Sequence, residues 1–151
     1  MNGKKVRKAV RTFLIENENI LVIKYKTEDN FDYIDIPGGK IEDEETPDAA
    51  SIREFKEETG IKIIEQKYRG NVIINYPDRI FDMDIYEVIV FEGKPLSFDE
   101  NDSIWININE ALNYDKRFST VDVLKYLNNI DILNLNIIAD DNHKIIKIEN
   151  N

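Results

Sequence analysis

Between Thr46 and Gly60 the sequence punctuates one short helix at both ends. A threonine hydroxyl caps free backbone N–H groups at a helix start. Proline suits the first helical position because its missing N–H costs nothing there, and glycine takes the left-handed stop. At 3.6 residues per turn Glu54, Glu57 and Glu58 share one face, with Ile52, Phe55 and Thr59 roughly opposite and suited to a core. Carboxylates at i, i+3 and i+4 repel one another, and each like-charged pair weakens an isolated helix by a few tenths of a kcal/mol. Such a face is either a solvated acidic surface or one neutralised by cations. Hard divalent ions take oxygen ligands, and Mg²⁺ characteristically combines one or two carboxylates with substrate phosphates.

Charge is concentrated around this helix. The 151 residues carry a net charge of −10, and residues 42–58 hold eight acids against two bases. That surface repels nucleic acid, and it would repel a polyphosphate too unless bound metal reverses the local sign. The absence of cysteine excludes disulfides, thiol nucleophiles and thiolate zinc sites. The single histidine, His143, stands in Asp-Asp-Asn-His-Lys, where it reads as a surface or turn residue rather than a triad base. No apolar run approaches the roughly 18 residues of a membrane span. The basic start lacks an apolar signal core, so a cytoplasmic protein is expected, with no membrane or nucleic-acid partner. The length suits one domain over 1–151.

Residues 5–15 and 20–25 read as the two strands of a hairpin about the Glu16-Asn17-Glu18-Asn19 turn. A polar loop over 27–30 leads to a short strand at 33–36 and then Pro37-Gly38-Gly39. After the helix, 61–76 reads as a long strand, bulged or broken near Arg69-Gly70. Tyr76-Pro77-Asp78-Arg79 is a turn and 80–91 a further strand. An acidic loop over 96–103 precedes a short strand at 104–106 and a helix start at 109–112. An amphipathic helix follows at 119–130, capped by Ser119, with Val121, Val123, Leu124 and Leu127 inward. Residues 144–148 alternate as a last strand. This order predicts an α/β class with a mixed sheet between helices.

Residues 39–61 read G-K-I-E-D-E-E-T-P-D-A-A-S-I-R-E-F-K-E-E-T-G-I. They resemble the Nudix box, G-x5-E-x7-R-E-U-x-E-E-x-G-U, in which U is bulky and apolar. Gly39, Glu45, Arg53, Glu54, Phe55, Glu57, Glu58, Gly60 and Ile61 fill every fixed position. Phe55 departs mildly from the aliphatic residue usual at its place. The resemblance implies the Nudix fold, an α/β/α sandwich whose box forms a loop–helix–loop. It also implies hydrolysis of a diphosphate linkage in a nucleoside diphosphate derivative, with Mg²⁺ or Mn²⁺ as cofactor. By the same resemblance Glu54, Glu57, Glu58 and the Gly39 carbonyl hold the ions. Glu45 would bind through water or partner Arg53, and Arg53 would orient the glutamates or stand only as a surface ion pair. Lys40 would meet phosphate, unless it is simply an exposed lysine. Gly38 and Gly39 would supply unusual backbone angles at the substrate.

In this family the proton goes to a box glutamate or to an acid of a distant loop. Glu100 is the first choice for that acid and Asp99 the second, because members often carry one shortly before a tryptophan such as Trp105. An acidic surface loop explains the same residues, and Trp105 reads as core before it reads as a base-stacking platform. The small domain favours a nucleoside triphosphate or similar small nucleotide. ADP-ribose and dinucleoside polyphosphates stay open, since Tyr76-Pro77 offers the residue of each class and a turn besides. A non-catalytic nucleotide sensor usually loses box glutamates, and all are present here. A prenyl diphosphate isomerase usually relies on a cysteine, and there is none. Homodimers are common in the family, while no residue of this chain argues for one.

Overall fold

A computed structural model of the chain describes residues 3–26, 32–96, 101–114, 120–127, 130–142 and 144–150. The elements run β1 (Lys5–Phe13), β2 (Ile15–Glu16), β3 (Asn19–Lys26), β4 (Asp32–Asp35), β5 (Gly38–Lys40) and α1 (Pro47–Thr59). There follow β6 (Lys62–Asn75), β7 (Arg79–Glu92), β8 (Asn101–Asn107), α2 (Ile108–Leu112), a 3₁₀ turn (Thr120–Tyr126), β9 (Leu133–Ala139) and β10 (Ile145–Asn150). Six strands form a mixed sheet in the order β10-β9-β6-β7-β1-β5. Within it β1 runs parallel to β7, β9 parallel to β6, and the other pairs are antiparallel. A smaller antiparallel sheet joins β3 to β2, β4 and β8. No helix among the described residues is long and apolar enough to cross a membrane.

The large sheet is covered on both faces, as expected for an α/β/α sandwich. On one face Ala50 of α1 packs on Val10 and Tyr86. Phe55 fills a second cluster with Leu14, Leu21, Ile63 and Val88. The other face buries Ala9, Phe13, Val72 and Ile85 against Ile20 and Val22 of the small sheet, Ala111 of α2, and Val121 and Val123 of the 3₁₀ turn.

Several elements differ from the sequence expectation. Residues 5–15 and 20–25 do not form a hairpin. Only Leu14–Glu16 turns back, onto Asn19–Leu21, across a turn whose Asn17 and Glu18 have φ of 52° and 67°, the geometry of tight hairpins. β1 instead lies between β7 and β5. It buries Val10 and Thr12 on one face and Ala9 and Phe13 on the other, a two-sided burial that calls for a central place in a sheet. The expected helix over 119–130 is a 3₁₀ turn, and Ser119, its expected cap, lies outside the described residues. Val121 and Val123 are both buried, with Leu127. Inward residues two apart suit no α-helical face, and the β-branched valines disfavour that helix. β8 begins at Asn101, inside the stretch expected as loop. β5 and β9 were not anticipated.

The irregularity expected near Arg69-Gly70 is a register shift between Tyr68 and Gly70. Gly70 has φ 131°, and an added Cβ would lie 1.9 Å from the Leu133 carbonyl oxygen. Gly70→Ala is therefore expected to lower unfolding free energy by about 2 kcal/mol or more in urea titration. A change within error would show that β9 can shift away from β6.

Candidate active site

The punctuated helix forms as its ends dictate. Thr46 Oγ1 accepts the Ala49 N–H at 3.2 Å. Gly60, at φ 81°, returns its N–H to the Lys56 carbonyl at 2.8 Å. The buried face is Ala50, Ser51, Phe55 and Thr59. Ile52, expected inward, is 40% exposed, because it lies about 60° round the helix beyond Phe55 at 100° per residue. This docking turns Glu54 and Glu58 toward the glycine strand and leaves the Glu57 side chain 58% exposed at the rim.

Gly38 and Gly39 do not supply the unusual angles expected of them. Both lie in β5, and the glycines with positive φ are Gly60, Gly70 and Gly93. Space is the reason for glycine here. A Cβ on Gly38 would lie 2.0 Å from the Val10 carbonyl oxygen, and one on Gly39 would lie 2.4 Å from the Glu54 carboxylate. The Gly38 N–H donates to Glu58 Oε1 at 3.3 Å. The Tyr25 hydroxyl donates to Glu58 Oε2 at 3.4 Å. Each half-buried carboxylate thus abuts one glycine.

Arg53 joins the rest. Its Nε donates to Glu45 Oε2 at 2.7 Å and its Nη2 to Glu45 Oε1 at 2.8 Å, a two-pronged pair. Nη1 donates to Glu54 Oε1 at 3.0 Å and to Glu57 Oε2 at 3.2 Å. Nη2 also reaches the Lys40 carbonyl at 3.0 Å. One planar cation therefore spans the loop and the helix, and it takes one oxygen from each of Glu54 and Glu57. The planar guanidinium fork suits such a task better than an ammonium.

The charges are strongly perturbed. Hydrogen bonds from Arg53 hold the Glu45 carboxyl down to about 2. Burial pushes Glu54 up, opposed by Arg53. Burial also lifts Glu58 to about 7, although the Arg11 guanidinium opposes the shift. Among the described residues no three acids converge closely enough to grip an ion as they stand. The donor set nevertheless fits a hard divalent cation. Glu54, Glu57 and Glu58 offer oxygen donors on one helix edge, Gly39 faces Glu54, and two of the three acids carry a desolvation cost that a cation would relieve.

A pH dependence follows from Glu58. Its ordinary value is 4.5 and its folded value about 7, so protonation favours the folded metal-free protein. That contribution is full below 4.5 and is lost as pH rises through 7. A metal held by Glu58 would need the deprotonated carboxylate, so Mn²⁺ affinity would rise between pH 6 and 8 and then level off. Titration calorimetry at constant ionic strength checks this, and a flat profile would contradict it.

The remaining expected residues fall variously. The Lys40 side chain is exposed. Trp105 is partly buried and packs on the Phe55 cluster, the core reading. Glu100, Asp99 and His143 lie outside the described residues. Leu96 donates its N–H to the Thr59 carbonyl at the end of α1. Three residues near the carboxylates were missed. Arg11 donates to the Ile36 carbonyl at 3.1 Å and stands 4.0 Å from Asp35. Tyr25 stacks on Tyr33 at 5.1 Å. Asp35 accepts the Ile36 N–H at 2.8 Å and the Thr120 N–H at 3.0 Å. A signal for Arg11 existed: it shares the face of β1 that carries Ala9 and Phe13, where a charge is out of place.

The family model for the NUDIX domain matches residues 5–127. An 8-oxo-dGTP diphosphatase of Proteus vulgaris is 29% identical over 95 residues, covering 62% of this chain and 85% of that one. The 8-oxo-dGTP diphosphatase of Escherichia coli (strain K12) is 29% identical over 106 residues, covering 70% and 82%. In fold, the chain is similar to a mutator MutT protein from Bacillus halodurans, with a TM-score of 0.83 at 17% identity over 96% of this chain and 97% of that one.

Proposed function

Because the chain belongs to the Nudix family, we propose that this pyrophosphohydrolase cleaves a diphosphate linkage in a purine nucleoside triphosphate of the 8-oxo-dGTP kind. Glu54, Glu57, Glu58 and the Gly39 carbonyl would hold Mg²⁺ or Mn²⁺. The observation that carries this reading is the pressing of two half-buried carboxylates, Glu54 and Glu58, against consecutive glycines of one strand. Two relatives named 8-oxo-dGTP diphosphatase support the substrate class.

Divalent ions bound there supply charge neutralisation at the phosphate oxygens and a lowered pKa for the attacking water. Arg53 would hold Glu54 and Glu57 in place rather than touch substrate, a role its full set of acceptors supports. Gly38 keeps the strand flat against β1 at the phosphate end. Lys40, exposed at the end of β5, reaches outward to phosphate. Glu100 takes the proton of the attacking water, with Asp99 the second choice. The base would enter beside the small cavity, about 100 Å³, bordered by Arg11, Asp35, Tyr76, Phe81, Met83 and Thr120, which admits the edge of a purine and not the whole ring system. Arg11 borders this cavity and also acts on Glu58, so a base seated there lies one side chain from the carboxylates.

The test is turnover of 8-oxo-dGTP, dGTP, dATP, ADP-ribose and a dinucleoside tetraphosphate with Mg²⁺, with products identified by mass. The expected result is fastest cleavage of 8-oxo-dGTP, and a loss of about 10²–10³-fold in Glu57→Gln, the scale of removing one preorganised electrostatic group. Equal release from Glu57→Gln and wild type would overturn the catalytic reading. Preference for ADP-ribose would overturn the substrate.

A further inference from the structure

One contact outside the glycine strand and the acidic face ties the two together. Thr12 of β1 is 1% exposed and Ser51 of α1 is fully buried. The Thr12 backbone N–H donates to the Pro37 carbonyl at 2.8 Å, and its hydroxyl lies 2.7 Å from the Ser51 hydroxyl. Ser51 Oγ in turn donates to Gln66 Oε1 at 2.7 Å. The Gln66 amide closes the chain by donating to the Asp48 carbonyl at 3.0 Å. A serine has one hydroxyl hydrogen. With that hydrogen on Gln66, Thr12 is the donor of the buried bond.

We infer that Thr12 is a positioning residue that sets the spacing between the Pro37-Gly38-Gly39 strand and the carboxylates of α1, and thereby the metal affinity of the site. The inference rests on the metal-dependent reading above. Pro37 immediately precedes Gly38, which meets Glu58, and Gly39, which faces Glu54. Ser51 is one helical turn before Glu54, so fixing the one fixes the other. The apolar contacts of α1 resist separation but permit sliding, because dispersion is not directional. A hydrogen bond between two buried hydroxyls is directional, and it is worth its desolvation cost only when made. Valine has nearly the shape of threonine and would pack in this place without that cost.

Thr12→Val removes the hydroxyl alone. Mn²⁺ half-saturation, read from the electron paramagnetic resonance of free Mn²⁺, is expected to rise about tenfold, the lower end for lost outer partners of metal ligands. Turnover falls with it at fixed Mn²⁺ and recovers at saturating Mn²⁺, while KM for the nucleotide holds. Thr12→Ser restores the wild-type half-saturation. Val72→Ala, on the opposite face of the sheet, loses stability without moving half-saturation. Ser51→Ala breaks the same bond from the other side and gives the same rise if Thr12→Val does not fold. An unchanged half-saturation in Thr12→Val, or an equal rise in Val72→Ala, overturns the inference alone. A wild-type protein that binds no Mn²⁺ and cleaves no nucleotide overturns the metal reading and this inference together.

Discussion

Gly39→Ala is expected to yield a folded protein with almost no turnover. Its new methyl group would lie 2.4 Å from the Glu54 carboxylate. That carboxylate is the end of a flexible side chain, so it swings aside and the backbone stays. The cost would fall on chemistry, because the displaced group could no longer join the Gly39 carbonyl in the ion site proposed above. A loss of about 10²-fold or more in kcat/KM is expected, comparable to removing one electrostatic group from an active site. Gly38→Ala adds the same methyl group with a different result. There it meets the Val10 carbonyl oxygen at 2.0 Å, and backbone cannot swing aside. β5 must part from β1, with a loss of about 2–4 kcal/mol in stability. Thermal melting and turnover measured on both variants separate the two cases. An active Gly39→Ala protein would show that Glu54 needs no fixed place, and an unaltered melt for Gly38→Ala would show that β5 is free of β1.

Arg53 carries the second large effect. Arg53→Lys keeps the charge but loses the two-pronged bond to Glu45 and cannot at once serve Glu54, Glu57 and the Lys40 carbonyl. Turnover is expected to fall about 10–100-fold, the scale for outer partners of metal ligands, while the charge kept beside Glu45 and Glu54, 14% and 15% exposed, limits the loss of stability. Acid titration gives a second readout in Arg53→Met. Glu45 is held down to about 2 in the native protein. Its contribution is present above the ordinary 4.5 and is lost as pH falls through 2. The variant lacks that contribution, so the two proteins differ in stability near pH 5 and converge near pH 2. Wild-type turnover in Arg53→Lys would reduce the residue to a surface ion pair.

Much of the site was legible because its signals are local. Thr46-Pro47 and Gly60 fix the helix ends through backbone chemistry that needs no tertiary partner. The spacing of Glu54 and Glu58 follows from helical pitch. Ile52 shows where this fails: periodicity gives a direction round the helix, and the sheet decides how wide a stripe it covers. The glycines were read for their dihedral freedom, whereas their neighbours demand only that they be small, and neighbours from β1 and α1 cannot be read from adjacent residues. The parallel pairing of β1 with β7 joins residues some seventy apart, so the hairpin expectation took the nearest partner and missed the true one. β9 could have been found, since Leu133, Leu135, Ile137 and Ala139 alternate inward. β5, with three residues of which two are glycine, carries no strand signal.

Arg53 also bears on the order of assembly. A helix edge of like-signed groups gains from any cation placed among them. This chain carries its own resident cation, which already satisfies Glu45, Glu54 and Glu57. Unlike small domains that collapse when stripped of zinc, it should keep its circular dichroism and melting cooperativity in a chelator. On the proposed reading, ion arrival would then be a redistribution of guanidinium bonds within a finished scaffold.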